Sequence, residues 1–301
     1  MSSTKGTALH CGLVAVVGRP NVGKSTLVNG LVGHKVSIVA PKPQTTRHRI
    51  TGVLTRAEGQ IVFVDTPGLH DAGQHAINRH LNRAARGALA DAHVVALVID
   101  AQRWTKEDEA ALLAAIGTGC PIVLVLHKVD LVGDKAALLP RISDLSRRHA
   151  FAALVPISAR KRDGLEQLIC TIFGLLPEGD LLFAADELTD RSEKFIIAEL
   201  VREQLVRQLH EELPYSTTVE IEAFERKRGV LRIAALIWVE RESQKAIVIG
   251  AGGEQIKSIG TAARREIERQ FAARVHLELH VRVRERWSDD EAALRQFGYA
   301  D

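Results

Sequence analysis

The chain has 301 residues, of which 46% are apolar and 26% charged, and its formal net charge is +3. This length fits roughly two domains, and the apolar fraction argues against a mainly disordered chain. No apolar run approaches the roughly 18 residues of a membrane span, and Met1–His10 lack the layout of a secretion signal. Cys11, Cys120 and Cys170 lie far apart, which argues against a disulfide framework or a zinc site and favours a reducing, cytoplasmic compartment.

The first part of the chain alternates short apolar runs with helix-like stretches. The runs are rich in Val, Ile and Leu and apolar on both faces, which is typical of buried strands in a mainly parallel sheet. Their repetition with helices predicts a doubly wound α/β domain. The predicted strands are Leu13–Val17, Ile61–Val64, Val94–Ile99, Ile122–Leu126 and Leu154–Ile157. The predicted helices are Lys24–Val32, Ala76–Ala90, Lys106–Ile116, Lys135–Ala150 and Gly164–Phe173.

The pattern changes after residue 179, where an acidic, turn-rich stretch begins. Beyond it, apolar periodicity predicts the order α-β-β-α-α-β. The elements are Ser192–His210, Thr217–Phe224, Val230–Glu240, Ser243–Val248, Glu254–Phe271 and Val275–Val283. We therefore predict one domain at residues 1–179, a linker at 180–190, a second domain at 191–287 and an acidic tail at 288–301.

A phosphate-binding loop is predicted at Gly18–Ser25, which fits GxxxxGK[ST] between a strand and a helix. Glycines let backbone amides approach phosphate oxygens, and the helix N-terminus favours negative charge. Lys24 supplies a cation to the β- and γ-phosphates, and Ser25 offers a hydroxyl to Mg²⁺. The predicted nucleotide contacts here are Gly18, Arg19, Pro20, Asn21, Val22, Gly23, Lys24, Ser25 and Thr26.

Three further segments follow strand ends and complete a nucleotide site. In Asp65-Thr66-Pro67-Gly68, the carboxylate can hold Mg²⁺ through water and the glycine amide can meet the γ-phosphate. In His127-Lys128-Val129-Asp130, Asp130 is placed to accept from guanine N1–H and the 2-amino group, donors that adenine lacks. By position, Ser158-Ala159 could bring a backbone N–H to guanine O6.

In order and spacing these four pieces resemble the G-domain of Ras-like translation-factor GTPases. The resemblance implies that GTP and GDP are the ligands and that a threonine of Gln44-Thr45-Thr46-Arg47 senses the γ-phosphate, with Thr46 the first choice and Thr45 the second. It implies a metal site of Ser25, Thr46 and Asp65, and catalytic roles for Lys24, Thr46 and Gly68. Leu69 stands where related switches place a water-orienting Gln, so slow intrinsic turnover is expected. Asn21 resembles an asparagine of potassium-stimulated relatives, which adds K⁺ as a candidate cofactor.

His127 departs from the NKxD form of the base-recognition motif. A histidine ring can donate one N–H, but it is expected to lack the paired donor and acceptor of an amide. Weaker or pH-sensitive nucleotide affinity is therefore expected, with guanine selection retained through Asp130.

The second domain carries a GxxG at Gly250–Gly253, between two predicted helices. Within α-β-β-α-α-β it resembles a type II KH domain, whose loop and aliphatic groove bind single-stranded nucleic acid. Residues 226–286 carry 14 Lys and Arg against seven Asp and Glu, which suits a polyanion. Ala251 stands where relatives often have a basic residue. The predicted RNA contacts are Arg241, Lys245, Ile249, Gly250, Ala251, Gly252, Gly253, Ile256, Lys257, Ile259, Arg264 and Arg265.

A Ras-like P-loop domain followed by a smaller α+β KH domain resembles the bacterial Era GTPase family over nearly the whole chain. The resemblance is carried by Gly18–Ser25, Gln44–His48, Asp65–Gly68, Val239–Lys245 and Ile249–Gly260. It implies a monomer that binds the 3′ end of 16S-type rRNA, assists assembly of the 30S subunit and contacts the cell membrane peripherally. Two alternatives stay open: an RNA-binding assembly factor whose nucleotide is mainly structural, and another GTPase of the same superfamily.

Overall fold

The computed structural model describes residues 8–42, 45–67, 76–209 and 213–299. These residues form two units. The first is built mainly from the chain up to Asp190, and the second mainly from Arg191 onwards. The second unit also includes the described residues of Ile38–Thr45 and Ala72–His80. The Gly68 and Leu69 expectations lie outside the described residues, as does Gln44.

The first unit contains a six-stranded sheet of order β2-β3-β1-β4-β5-β6. Its strands are β1 (His10–Val17), β2 (Ile50–Arg56), β3 (Gly59–Asp65), β4 (Val94–Asp100), β5 (Ile122–His127) and β6 (Ala153–Ile157). All neighbours pair in parallel except β2, which is antiparallel to β3. Every residue of β3, β4 and β5 is buried, as expected for central strands apolar on both faces. The mainly parallel α/β sheet predicted from the sequence is confirmed.

Four described helices lie between these strands along the chain, and a fifth follows β6. They are α1 (Lys24–Val32), α2 (Ala76–Ala90), α3 (Lys106–Ile116), α4 (Leu138–Ser146) and, after β6, α5 (Leu165–Phe173). Residues 76–80 of α2 are counted with the second unit. The bounds predicted for α1, α2 and α3 are confirmed. The prediction of one helix over Lys135–Ala150 is wrong at both ends, because a 3₁₀ turn precedes α4 and the helix stops at Ser146. The parallel order brings the carboxyl ends of β1, β3, β4, β5 and β6 to one edge of the sheet, where ligands of open α/β sheets bind.

The turn-rich segment before residue 190 belongs to the first unit and packs against β2 and β3. The Gln60 side chain accepts hydrogen bonds from the backbone amides of Leu182 and Phe183 at 2.9 and 2.8 Å and donates to the Phe183 carbonyl at 3.0 Å. The Val53 amide donates to the Leu188 carbonyl at 2.9 Å. This stretch therefore has a defined backbone path along β2 and β3.

The second unit has the predicted order α-β-β-α-α-β. Its elements are α6 (Glu193–Gln208), β7 (Thr218–Lys227), β8 (Val230–Val239), α7 (Glu242–Ile249), α8 (Glu254–Phe271), β9 (Arg274–Val283) and a short α9 (Glu291–Gln296). Strand β8 is central, with β7 antiparallel and β9 parallel to it. Residues of α6, α8 and the sheet form a core of Ile197, Leu200, Val201, Leu231, Ile233, Ala263, Ile267 and Val275.

The residues after β9 pack on the second unit. Trp287 is fully buried, and its indole N–H donates to the Ser216 carbonyl at 3.0 Å. Phe297 and Tyr299 lie against the Trp287 ring, with centroids 5.5 and 5.9 Å away. Aromatic contacts of this kind anchor the acidic tail through its apolar residues. None of the helices among the described residues has the length and apolar character needed to cross a bilayer.

Candidate functional site

The loop Gly18–Ser25 runs from the end of β1 into the first turn of α1, as the sequence predicts. The Lys24 ammonium lies inside this loop and donates to the carbonyls of Gly18 and Arg19 at 2.9 and 3.1 Å. Burial lowers the pKa of Lys24 from 10.5 to about 8, against the opposing effect of the Asp65 carboxylate. An anion bound beside this buried ammonium would raise the pKa of Lys24 and so favour its charged form.

Gly23 is required by a close approach at the end of the loop. Its φ is 104°, and a Cβ there would lie 2.3 Å from Cε1 of the His127 ring. A side chain at this position would therefore displace the ring and strain the backbone.

A group of oxygen atoms lies beside Lys24. Ser25 Oγ and Thr46 Oγ1 are 2.8 Å apart, and Ser37 Oγ donates to Asp65 Oδ2 at 2.8 Å. Burial raises the pKa of Asp65, although the hydroxyls of Ser25, Ser37 and Thr46 oppose the shift. Asp65 Oδ1 is buried and has no hydrogen-bond partner within the described ranges.

This set fits Mg²⁺, which binds through one or two carboxylates and hydroxyls, with phosphate oxygens and water completing the shell. The part of the chain that the structure describes holds no cluster of three His, Cys, Asp or Glu side chains that could bind a metal by themselves. Ser25, Thr46 and Asp65 would therefore need the phosphates of a ligand to complete a metal shell. Ser37, which the sequence motifs do not reveal, donates to Asp65 and orients its carboxylate.

The two candidate threonines occupy different environments. Thr46 contacts Ser25, whereas the Thr45 hydroxyl donates to the Lys42 carbonyl at 2.6 Å. In the second unit, the Thr45 carbonyl also accepts a hydrogen bond from the Arg202 guanidinium at 2.5 Å. Only Thr46 of the two therefore lies at the oxygen cluster. The Thr66 hydroxyl donates to the Val16 carbonyl of β1 at 3.0 Å.

The base-recognition residues follow β5 and β6. Ser158 Oγ donates to Asp130 Oδ1 at 2.7 Å, and this hydrogen bond lowers the pKa of Asp130. Lys128 Nζ donates to the Asn21 carbonyl at 2.9 Å and to Asp100 Oδ2 at 3.0 Å. Asp130 is thus an oriented, ionised acceptor, and Lys128 joins its segment to the phosphate loop.

The His127 ring corrects one expectation from the sequence. Its Nδ1 lies 2.7 Å from the Val22 carbonyl, and the Ala159 amide donates to its Nε2 at 3.3 Å. Since a carbonyl only accepts and an amide N–H only donates, the ring must carry its proton on Nδ1 and accept at Nε2. The neutral ring therefore does supply a paired donor and acceptor. Burial lowers the pKa of His127, which favours this neutral form.

The same geometry bears on the backbone amides of Ser158-Ala159, one of which could meet guanine O6 by its position in the sequence. In the structure the Ala159 amide donates to His127 Nε2. His127 therefore connects the phosphate loop, through Val22, to the loop after β6.

The GxxG loop of the second unit lies between α7 and α8. Gly250 has a φ of 75°, and a Cβ there would lie 2.6 Å from Gln255 Cβ, so the tight path requires glycine. Ala251 and Gly252 are exposed at the tip. The Gln244 side chain accepts from the Arg241 amide at 3.1 Å and fixes the start of α7.

Most of the predicted RNA contacts lie around this loop. Lys257 and Arg265 line one cavity along α8 with Ser258 and Thr261. Ile249 and Ile256 are partly buried, and Arg241 and Arg264 are exposed, with Lys245 partly buried on α7. The expectation for Ile259 is wrong: its side chain is fully buried in the core with Val248, so it cannot reach a base. Ile247, 57% exposed on α7, is an apolar surface residue that the sequence pattern missed.

A phosphate-loop motif, an oriented carboxylate in the segment that resembles a base-recognition motif and a GxxG module together are typical of a GTPase joined to a KH domain. Family models agree with both parts: "50S ribosome-binding GTPase" matches residues 13–128 and "KH domain" matches residues 212–288. The chain belongs to the Era family of GTPases. It is 56% identical to GTPase Era of Xylella fastidiosa strain M12, over 98% of this chain and 99% of that one. It is 58% identical to GTPase Era of Stenotrophomonas maltophilia strain R551-3, over 97% and 98%.

Solved structures extend the similarity to the fold of the whole chain. The structure of a point variant of Aquifex aeolicus Era bound to GDP·AlF₄⁻ is 38% identical, with a TM-score of 0.94 over 97% of this chain and 100% of that one. A structure of Era in complex with MgGDPNP and nucleotides 1506–1542 of 16S ribosomal RNA is also 38% identical, with a TM-score of 0.93 and the same coverage. The chain is therefore a GTP hydrolase with a Ras-like domain and a C-terminal KH domain.

Proposed function

We propose that this GTPase is a switch that binds the 3′ end of 16S-type rRNA and assists maturation and assembly of the 30S subunit. The observation that carries the proposal is the similarity over 97% of the chain to an Era structure that holds MgGDPNP and a 16S rRNA segment. The two sites of this chain supply matching chemistry, one for a guanine nucleotide and one for single-stranded RNA.

The proposed nucleotide site uses the phosphate loop and the two base-recognition loops. Lys24 and the loop amides hold the β- and γ-phosphates, while Asp130 reads guanine. Ser25, Thr46 and Asp65 are the proposed Mg²⁺ ligands, directly or through water, and the bound ion would neutralise charge on the phosphate oxygens. Thr46 and the amide of Gly68 contact the γ-phosphate, and Thr45 is not part of this group because its hydroxyl faces Lys42.

Hydrolysis is proposed to be slow and dependent on an activator, because the position after Gly68 is Leu69, which cannot orient water. Asn21 in the phosphate loop has an exposed side chain, which suits contact with a monovalent cation such as K⁺. Replacing Na⁺ by K⁺ should therefore raise the hydrolysis rate, and Asn21→Ala should remove the difference. Equal rates in the two salts would exclude a catalytic role for potassium.

The proposed RNA face surrounds the GxxG loop. The backbone at Gly250–Gly253 clamps the strand, Ile249 and Ile256 border the aliphatic groove, and the basic side chains attract phosphates. These basic side chains are Arg241, Lys245, Lys257, Arg264 and Arg265. Two of them already have acidic neighbours, since Lys245 lies 3.7 Å from Glu242 and Arg264 lies 3.8 Å from Glu268.

Single-turnover GTP hydrolysis with and without an oligonucleotide of the 16S rRNA 3′ end tests the switch. Stimulation by this oligonucleotide, but not by a scrambled one, supports a hydrolytic switch on rRNA. Tight RNA binding with an unchanged hydrolysis rate would favour an RNA-binding assembly factor in which the nucleotide stabilises the fold.

Cellular location and assembly state are proposed from the family resemblance alone. We propose that the protein is a monomer. We also propose that it is cytoplasmic and contacts the inner face of the cell membrane peripherally. Sedimentation with anionic vesicles and light scattering of the purified chain test the two statements separately.

A further inference from the structure

The phosphate loop is fastened to α3 by a pair of charged side chains that the nucleotide motifs do not include. Arg19 Nε donates to Asp108 Oδ2 at 3.3 Å. Arg19 is 9% exposed and Asp108 is fully buried. Asp108 follows Arg19 by 89 positions in the chain, so the fold alone brings the two together.

Asp108 also belongs to the capping box of α3. Its Oδ2 accepts from the Thr105 amide at 2.9 Å and from the Thr105 hydroxyl at 3.1 Å. Capping accounts for the contact with Thr105 but does not require burial, since capping side chains commonly lie at the surface. A buried carboxylate needs a counter-ion, and Arg19 is the cation that pairs with Asp108 in the structure.

A second carboxylate extends this contact to the base-recognition segment. Arg19 Nη2 lies 3.8 Å from Asp100 Oδ2, the same oxygen that accepts from Lys128 Nζ at 3.0 Å. Asp108, Arg19, Asp100 and Lys128 therefore form a row of alternating charge. Both cations of the row act on the phosphate loop, because Arg19 belongs to it and Lys128 donates to its Asn21 carbonyl.

The row is also connected to the Lys24 ammonium through the backbone of Arg19. The Arg19 carbonyl accepts a hydrogen bond from Lys24 Nζ at 3.1 Å. Arg19 therefore contributes both the side chain that Asp108 holds and a carbonyl that positions Lys24. Groups that hold a ligand-binding residue in place contribute to affinity by reducing the cost of ordering it.

We infer that Asp108 is a positioning residue for guanine-nucleotide binding, which acts through Arg19 to hold the phosphate loop in its binding conformation. The inference rests on the proposed nucleotide site at Gly18–Ser25. It assigns to a side chain of α3 a role in binding that its position in the sequence does not suggest.

The test compares dissociation of N-methylanthraniloyl-GDP from the full chain and four variants: Asp108→Asn, Arg19→Gln, the double variant and Thr105→Ala. Asp108→Asn and Arg19→Gln should each raise the dissociation rate about tenfold, as expected for loss of one charge-assisted hydrogen bond. The double variant should be no faster than either single variant, because both remove the same contact. Thr105→Ala removes the hydroxyl donor to Asp108 Oδ2 but keeps the Thr105 amide donor and the Arg19 contact, so it should lower the melting temperature and raise the dissociation rate much less than Asp108→Asn does.

Several results would overturn the inference. Equal dissociation rates for Asp108→Asn and Thr105→Ala would show that Asp108 acts only as a helix cap. If the rate increase of the double variant were the product of the two single increases, Asp108 and Arg19 would act independently. If Asp108→Asn does not fold, Arg19→Gln decides, and an unchanged rate for it would contradict the inference. Failure of the unmodified chain to bind the labelled GDP would instead remove the proposed nucleotide site itself.

Discussion

Ser158 Oγ donates a hydrogen bond to Asp130 Oδ1 at 2.7 Å, although the two residues follow different strands of the sheet. The bond holds the carboxylate that we propose reads guanine, and it helps to keep that carboxylate ionised by lowering the pKa of Asp130. If Asp130 reads guanine as proposed, guanine selection depends on the register of β5 and β6 as well as on the base-recognition motif.

Ser158→Ala should weaken GDP binding because it frees Asp130 to rotate away from the base. The expected loss of affinity is about tenfold, the cost of one hydrogen bond to a charged group. Isothermal titration with GDP measures it. Ser146→Ala is the matched control, since the Ser146 hydroxyl donates to the Ser143 carbonyl at 2.9 Å on the exposed face of α4. Equal affinities for the two variants would contradict a role for Ser158.

Nucleotide affinity should fall in acid because His127 must stay neutral. Burial lowers the pKa of His127 below its usual 6.5, so the folded protein resists protonation that the unfolded chain accepts. The unfolded state then binds more protons below about pH 6.5, and the ring's contribution to stability is lost as the pH falls through this range. Protonation of Nε2 would also break the bond from the Ala159 amide.

The measurement is GDP affinity and melting temperature between pH 5 and 8 for the wild type and His127→Asn. An amide supplies the same donor and acceptor without titrating. The GDP affinity and the melting temperature of the variant should therefore change less with pH than those of the wild type. Parallel curves for the two proteins would show that His127 does not set the pH response.

GDP binding should take up protons near pH 8. Free Lys24 has a pKa of about 8, and a bound β-phosphate beside it favours the charged ammonium. Titration calorimetry at pH 8.5 in buffers of different ionisation enthalpy should therefore give different apparent enthalpies. Lys24→Arg, whose side chain stays charged, should abolish the difference. Identical enthalpies for the wild type in all buffers would contradict the depressed pKa of Lys24.

Ala251→Lys should strengthen RNA binding by adding a cation at the tip of the GxxG loop. The position is exposed, so the new ammonium can reach a phosphate without displacing another side chain. The slope of log affinity against log salt should steepen by about 0.7, the value for one additional phosphate contact with a single strand. Fluorescence anisotropy with the 16S rRNA 3′-end oligonucleotide measures this, with Ala251→Gln as the uncharged control. If the salt dependence of affinity had the same slope for both variants, the RNA backbone would not contact position 251.

Periodicity and spacing predicted the parallel strands, the phosphate loop and the order of the second domain. Strand β2 was missed because it lies at the sheet edge, where Gly52 and its partly exposed end interrupt the apolar pattern. The helix predicted over Lys135–Ala150 was too long, because its polar ends match a helical pattern but lack buried partners: only Leu145 of α4 is buried.

The features of the site that the sequence did not predict are contacts between residues that lie far apart in the chain. Ser37 reaches Asp65, and Asp108 reaches Arg19, only through the path of the folded chain. His127 was interpreted as a poor substitute for an amide because a sequence does not show that Val22 and Ala159 lie on opposite sides of the ring. Ile259 fits the apolar pattern of a groove, but the same pattern is produced by the core face of α8.

The central claim is that a guanine nucleotide binds between the phosphate loop and Asp130. Titration calorimetry of the purified chain with GDP and with ADP, each in the presence of Mg²⁺, tests it most directly. The account predicts clear binding heat with GDP, none with ADP, and loss of the GDP signal in Asp130→Ala. An absence of heat with GDP, or binding of ADP as tight as that of GDP, would contradict it.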